Sequence, residues 1–136
     1  MNTTIKIIAI LFIGMLNVNC NNKQPSKTLT EFGEINVITP SDFKNKSDNQ
    51  TIVDIRTPQE FKEGHIKGAV NINYFDKNFL NEISKFDKTK PIFIYCRSGN
   101  RTSSASKKIA KLGFKQVNDL QGGILNWKNS NNEIIK

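Results

Sequence analysis

One cysteine opens a short polar stretch that carries two arginines, Cys96-Arg97-Ser98-Gly99-Asn100-Arg101. It follows the apolar run Pro91–Tyr95 and precedes a segment, 101–112, with a helical apolar period. A strand that feeds a tight loop and then a helix N-terminus builds an anion cradle. Inward loop amides and the first unpaired N–H groups of the helix collect negative charge there. Gly99 permits a backbone turn that a side chain would hinder, and Arg97 and Arg101 add positive charge. A cysteine at the mouth of such a cradle is favoured as the thiolate, which is the nucleophilic form. Cys96 is therefore the candidate catalytic residue. Arg97, Ser98, Gly99, Asn100 and Arg101 are the candidate substrate-binding residues.

Other reactive residue types fit supporting roles. His65 is the sole histidine and sits in the turn Gly64-His65-Ile66-Lys67-Gly68. A thiolate that is already ionised needs no base, so His65 is expected to be structural. One histidine and one cysteine cannot build a metal site, and neither a metal nor a cofactor is expected. Thr102 and Ser103 are expected to cap the helix after the loop. Phe114 and Trp127 are expected in the core.

The segments around the loop alternate between strand and helix signals. Short β-type runs occur at Ile35–Ile38, Thr51–Ile55, Ala69–Ile72, Pro91–Tyr95 and Val117–Leu120. Thr39-Pro40-Ser41-Asp42 and Thr57-Pro58-Gln59-Glu60 are helix starts, with Thr as N-cap and Pro at the first helical position. Gly64 is expected to stop the second of these helices, and Gly113 to close the helix over 101–112. Apolar spacing predicts a further helix over Phe75–Phe86, and Gly122-Gly123 leads into a short helix bearing Ile124 and Trp127. This alternation predicts an α/β fold with a mostly parallel sheet flanked by helices. Such folds hold ligands beyond the carboxyl ends of their strands, where the Cys96 loop falls.

Three ordered stretches together resemble one family. The loop 96–102 resembles the active-site loop of single-domain rhodaneses. Val53–Phe61 with Gly64–Ile72, and Val117–Ile124 with Trp127, resemble that family's other two motifs, so the likeness spans about residues 34–130. The resemblance implies a rhodanese-like three-layer fold. It also implies sulfur transfer through a Cys96 persulfide, from a small anionic donor such as thiosulfate to a thiol, cyanide or protein acceptor. Asp54, Arg56, Glu60 and Thr102 would support the site, with Arg56 able to pair with Glu60. From Cys96 to Arg101 the loop is six residues; the loops of phosphatases and arsenate reductases of this fold are one longer. The shorter ring favours sulfur over phosphate. A sulfur- or anion-binding module without turnover, and a phosphatase or arsenate reductase, are the alternatives.

The N-terminus reads as an address. Lys6 and the amino terminus precede a ten-residue apolar run, Ile7–Leu16, too short to span a bilayer as a helix. It ends at Cys20, with Asn19 before it, and resembles a bacterial lipoprotein signal in which Cys20 would carry the lipid. The expected organisation is a signal peptide at 1–20, a polar tether at 21–33 and one domain at 34–136. The expected place is the bacterial cell envelope, lipid-anchored to a membrane and facing the periplasm or exterior. A soluble periplasmic protein is the alternative. If Cys20 is lipidated, Cys96 has no disulfide partner. The chain carries 20 basic and 12 acidic residues, a formal charge of +8. Most of its lysines are scattered; only Lys107, Lys108 and Lys111 cluster on one predicted helix. No basic stripe is interleaved with aromatics, so nucleic acid is not an expected partner.

Overall fold

The β-branched and aliphatic runs become strands, and the Thr-Pro signals become helix starts. The computed structural model describes residues 23–136. The expected signal peptide and Cys20 lie outside the described residues. The strands are β1 (Ser26–Leu29), β2 (Glu34–Ile38), β3 (Thr51–Asp54), β4 (Ala69–Asn71), β5 (Ile92–Tyr95) and β6 (Gln116–Leu120). The helices are α1 (Pro40–Lys46), α2 (Pro58–Glu63), α3 (Phe79–Ile83), α4 (Asn100–Lys111) and α5 (Gly123–Asn129). The sheet runs β1-β2-β6-β5-β3-β4. Every neighbouring pair is parallel except β1 with β2.

Alternation along β5 divides the core in two. Ile92, Ile94 and Cys96 point to one face, where they pack with Phe79 and Ile83 of α3 and Ala105 and Ile109 of α4. Phe93 and Tyr95 point to the other, with Phe43 of α1 and Ile124 and Trp127 of α5. Phe43 meets Phe93, Tyr95 and Trp127 edge-on, at centroid separations of 5.4, 6.5 and 6.0 Å. This is the expected α/β architecture, a mostly parallel sheet between two layers of helices. Because β5 is central and buried on both faces, its end is held rigidly. Cys96 is the next residue along.

Local chemistry explains the helix boundaries. Thr39 Oγ1 accepts the Asp42 amide at 3.1 Å. Thr57 and Glu60 close a reciprocal capping box on α2. Two expectations are corrected. The helix expected over Phe75–Phe86 is only Phe79–Ile83. Asn73 Oδ1 takes the Phe75 amide at 3.1 Å and Asp76 Oδ1 takes the Asn78 amide at 2.8 Å. These side-chain turns compete with the helical ladder and hold residues 73–78 in turns. The tether expected over 21–33 also contains structure: residues 26–29 form β1, paired antiparallel with 34–37. The turn between them is fixed by Thr30, whose Oγ1 accepts the amides of Phe32 and Gly33 at 3.2 and 3.0 Å. All four β1 side chains are exposed, so the strand has no apolar alternation to betray it.

Candidate active site

The loop after β5 is shaped from two sides. Gly99 takes φ +96° and starts α4. On the outer side, α5 binds the loop backbone: the Ile124 amide donates to Cys96 O at 2.9 Å and the Leu125 amide to Arg97 O at 3.2 Å. With these carbonyls held outward, the Gly99 amide turns inward to Cys96 Sγ. Gly123 makes this close approach feasible. It has φ +62°, and a Cβ there would lie 2.5 Å from Cys96 O and from the Arg97 carbonyl.

Inside the loop sits Cys96, 1% exposed. Its Sγ accepts the Gly99 amide at 3.1 Å and lies 3.7 Å from Thr102 Oγ1. Thr102 and Ser103 do not cap α4 as expected. Both hydroxyls donate to the Gly99 carbonyl, each at 3.1 Å. No side chain caps the helix start, so the first-turn N–H groups, which have no helical acceptor, remain for an anion at the sulfur. Gly99 is buried, Ser98 half-buried, and Arg97 and Asn100 are exposed at the rim.

The arginines divide differently from expectation. Arg101 is locked to Glu60 by two hydrogen bonds, Nη1 to Oε2 and Nη2 to Oε1, both 2.8 Å. Glu60 Oε2 also accepts from the Thr57 amide and hydroxyl at 3.0 Å. This clamp ties the first turn of α2 to the first turn of α4. Arg101's hydrogen bonds hold the Glu60 carboxyl down at about 2. The exposed Phe75 ring lies against the same guanidinium, 5.7 Å from ring centroid to Cζ. Arg97 is thus the loop cation that makes no ion pair among the described residues.

Arg56 does not pair with Glu60. It pairs with Asp54 instead: Nη2 to Oδ2 is 2.6 Å and Nε to Oδ1 is 2.9 Å. The same Nη2 donates to Gly64 O at 2.7 Å, and the guanidinium lies 5.7 Å from the Tyr95 ring centroid. Asn71 Nδ2 bridges the Asp54 and Arg56 carbonyls at 3.0 and 2.8 Å. This buried knot fixes the ends of β3, β4 and β5 around the loop. His65 stacks on Phe61 at 3.7 Å and its Nδ1 meets Phe61 O at 2.9 Å. Trp127 and Phe114 are buried. No cluster able to hold a metal occurs among the described residues. Sequence reasoning missed the α5 amides behind the loop; the Gly122-Gly123 pair was the available signal.

This geometry has relatives. The family model described as Rhodanese-like domain matches residues 39–130. The chain is 34% identical over 101 residues to thiosulfate sulfurtransferase GlpE of Shewanella oneidensis, which covers 67% of this chain and 98% of that one. It is 41% identical over 83 residues to the tRNA uridine(34) hydroxylase of Pelagibacter ubique, which covers 60% of this chain but 28% of that one. The crystal structure of the BH2092 protein from Bacillus halodurans superposes with a TM-score of 0.62 at 31% identity, covering 72% of this chain and 74% of that one. The matched span runs from the Thr39 cap through the Cys96 loop to the α5 backing, and on it the chain belongs to the rhodanese-like domain family.

Proposed function

We propose that this chain is a sulfurtransferase that carries sulfane sulfur as a Cys96 persulfide. The observation that carries the reading is the Cys96 Sγ buried inside its loop and accepting the Gly99 N–H at 3.1 Å. In the first half-reaction the thiolate attacks the outer sulfur of a donor such as thiosulfate. An Sγ–S bond forms, the donor S–S bond breaks, and sulfite leaves with the bonding pair. In the second, a thiol, cyanide or protein acceptor takes the outer sulfur and restores the thiolate. The loop amides and the start of α4 hold the terminal negative charge of the persulfide. Arg97 at the rim draws in the anionic donor. Similarity to a thiosulfate sulfurtransferase over nearly all of that relative's length supports this reading.

The test is a donor panel followed by intact-mass analysis. Thiosulfate-treated protein should gain about 32 Da on Cys96, one sulfur atom, and lose it on adding cyanide. Cys96→Ser should gain nothing while melting like the wild type. Absence of the adduct with every donor would overturn the proposal. For residues 1–20 we propose a lipoprotein signal that leaves Cys20 lipidated and the domain facing outward from a membrane of the cell envelope. Metabolic labelling with a fatty-acid analogue should mark the wild type and not Cys20→Ala; equal labelling of both would overturn the assignment.

A further inference from the structure

A carboxyl that the sulfur-transfer steps above do not use lies under the Cys96 loop. Asp119 of β6 is 1% exposed, and its Oδ1 is the buried side-chain polar atom left without a hydrogen-bond partner among the described residues. A buried carboxylate oxygen without a donor is costly, so its isolation calls for a reason. Asp119 pairs in register with Ile94 of β5, two residues before Cys96, and both side chains point to the α4 face of the sheet. Thr102, on the α4 face over these strands, is fully buried, with Oγ1 3.7 Å from Cys96 Sγ. Its hydroxyl also stabilises the ionised form of Asp119.

The groups around Asp119 are few. On β2 its register partner is Val37, and on β5 Ile94 and Cys96 share its face. The sheet-facing side of α4 offers Thr102, Ala105, Ser106, Ile109 and Ala110, none of them charged. Lys23 is the cation against it, with Nζ 3.7 Å from Oδ2 and the lysine side chain 42% exposed. That is a long, half-solvated pair, too weak to hold the carboxyl ionised outright. Burial pushes the Asp119 carboxyl up to about 6, against the opposing pulls of Thr102 and Lys23.

We propose that Asp119 and Cys96 share one proton through the Thr102 hydroxyl, so that Asp119 holds the thiol's hydrogen while Cys96 acts as the nucleophile. The transfer balances without any further reactant. The Cys96 S–H bond breaks, Thr102 Oγ1 takes that proton, and its own hydroxyl proton passes to Asp119. One negative charge moves from carboxylate to sulfur. The Thr102 hydroxyl must turn away from the Gly99 carbonyl for this, and Ser103 Oγ, also 3.1 Å from that carbonyl, keeps it satisfied. When the persulfide forms, its charge then faces a neutral Asp119 rather than a second anion. A pair coupled in this way titrates in two steps that belong to both groups.

The inference rests on Cys96 as the reactive group, and its test needs no sulfur donor. Iodoacetamide alkylation of Cys96 in the full chain, followed on the Cys96 peptide by mass spectrometry, gives the rate against pH. The wild type should show a lower step near pH 6, a plateau, and a second step at higher pH. Asp119→Asn should lose the lower step and titrate once. Lys23→Gln alters an exposed side chain, so it keeps the test alive if Asp119→Asn fails to fold. It should move the lower step to higher pH, because the ionised carboxylate loses its cation. Lys23 also hydrogen-bonds Ser103 Oγ, which donates to the Gly99 carbonyl, so Ser103→Ala is the control and should leave the lower step in place. A single step in the wild type, or a lower step unmoved in Asp119→Asn and Lys23→Gln, would overturn the proposal. Missing persulfide with a two-step profile would instead count against sulfur transfer alone.

Discussion

At the scale of residues, the site depends on which acid meets which base. Arg101 carries the Cys96 loop into α4, and Glu60 holds it by two hydrogen bonds. Glu60 is therefore both a helix cap and a clamp on the loop. Its carboxyl is depressed from 4.5 to about 2, chiefly by the Arg101 hydrogen bonds. A carboxyl lowered in the folded state binds fewer protons than in the unfolded chain, so its contribution is complete above 4.5 and is lost as pH falls through about 2. Urea melts of the wild type should lose stability across that window, and Glu60→Gln should be flatter there while less stable at pH 7. A variant as steep as the wild type would show that the clamp does not hold the fold. Arg101→Ala should slow persulfide formation on the order of tenfold or more, because the loop loses its fixed position. The sequence placed Glu60 and Arg101 near the site, but it paired Glu60 with Arg56. Spacing along the chain favours the near neighbour; only the approach of α2 to α4 in space brings Glu60 to Arg101.

At the scale of elements, the start of α5 shapes the loop from behind. Gly123→Ala would force a side chain into the Cys96 and Arg97 carbonyls at a backbone angle of +62°. The left-handed angle alone costs about 1–2 kcal/mol, and the overlap adds a displacement of the loop. Persulfide formation should fall on the order of a hundredfold. Gly68→Ala is the control. Gly68 has φ +83° with open space around the added carbon, so it should lower stability by a similar backbone cost and leave persulfide formation alone. Equal losses of activity in the two variants would show that backbone strain, and not the α5 contact, matters. Elements with strong end signals were legible in the sequence: both Thr-Pro starts are caps, and the Gly113 stop follows α4. The apolar period over 75–86 overstates the helix because it ignores Asn73 and Asp76, whose side chains draw the backbone into turns.

At the scale of the molecule, the central strands are held on both faces and the edge is not. β5 has four fully buried residues between β3 and β6, and two cores meet across it. The parallel sheet was legible because its inner strands are continuous apolar runs bounded by helices. The strand order and the sixth strand were not, since β1 is polar and pairs through its backbone. Only β2 neighbours β1, and Leu29 is 76% exposed. Little apolar burial opposes its opening, so β1 should open in local excursions while the rest stays folded. Native-state hydrogen exchange should find the amides of β1 protected far less than those of β5 and β6, which should exchange only by global unfolding. The consequence reaches the site, because Lys23 lies just before β1 and bonds to both Asp119 and Ser103. Mild denaturant should release β1 before the midpoint and shift the Asp119-linked step of Cys96 alkylation to higher pH, in the direction expected for Lys23→Gln. If β1 and β5 amides exchange with one common opening energy, the edge is part of the global unit, and this route from the N-terminal segment to the sulfur is closed.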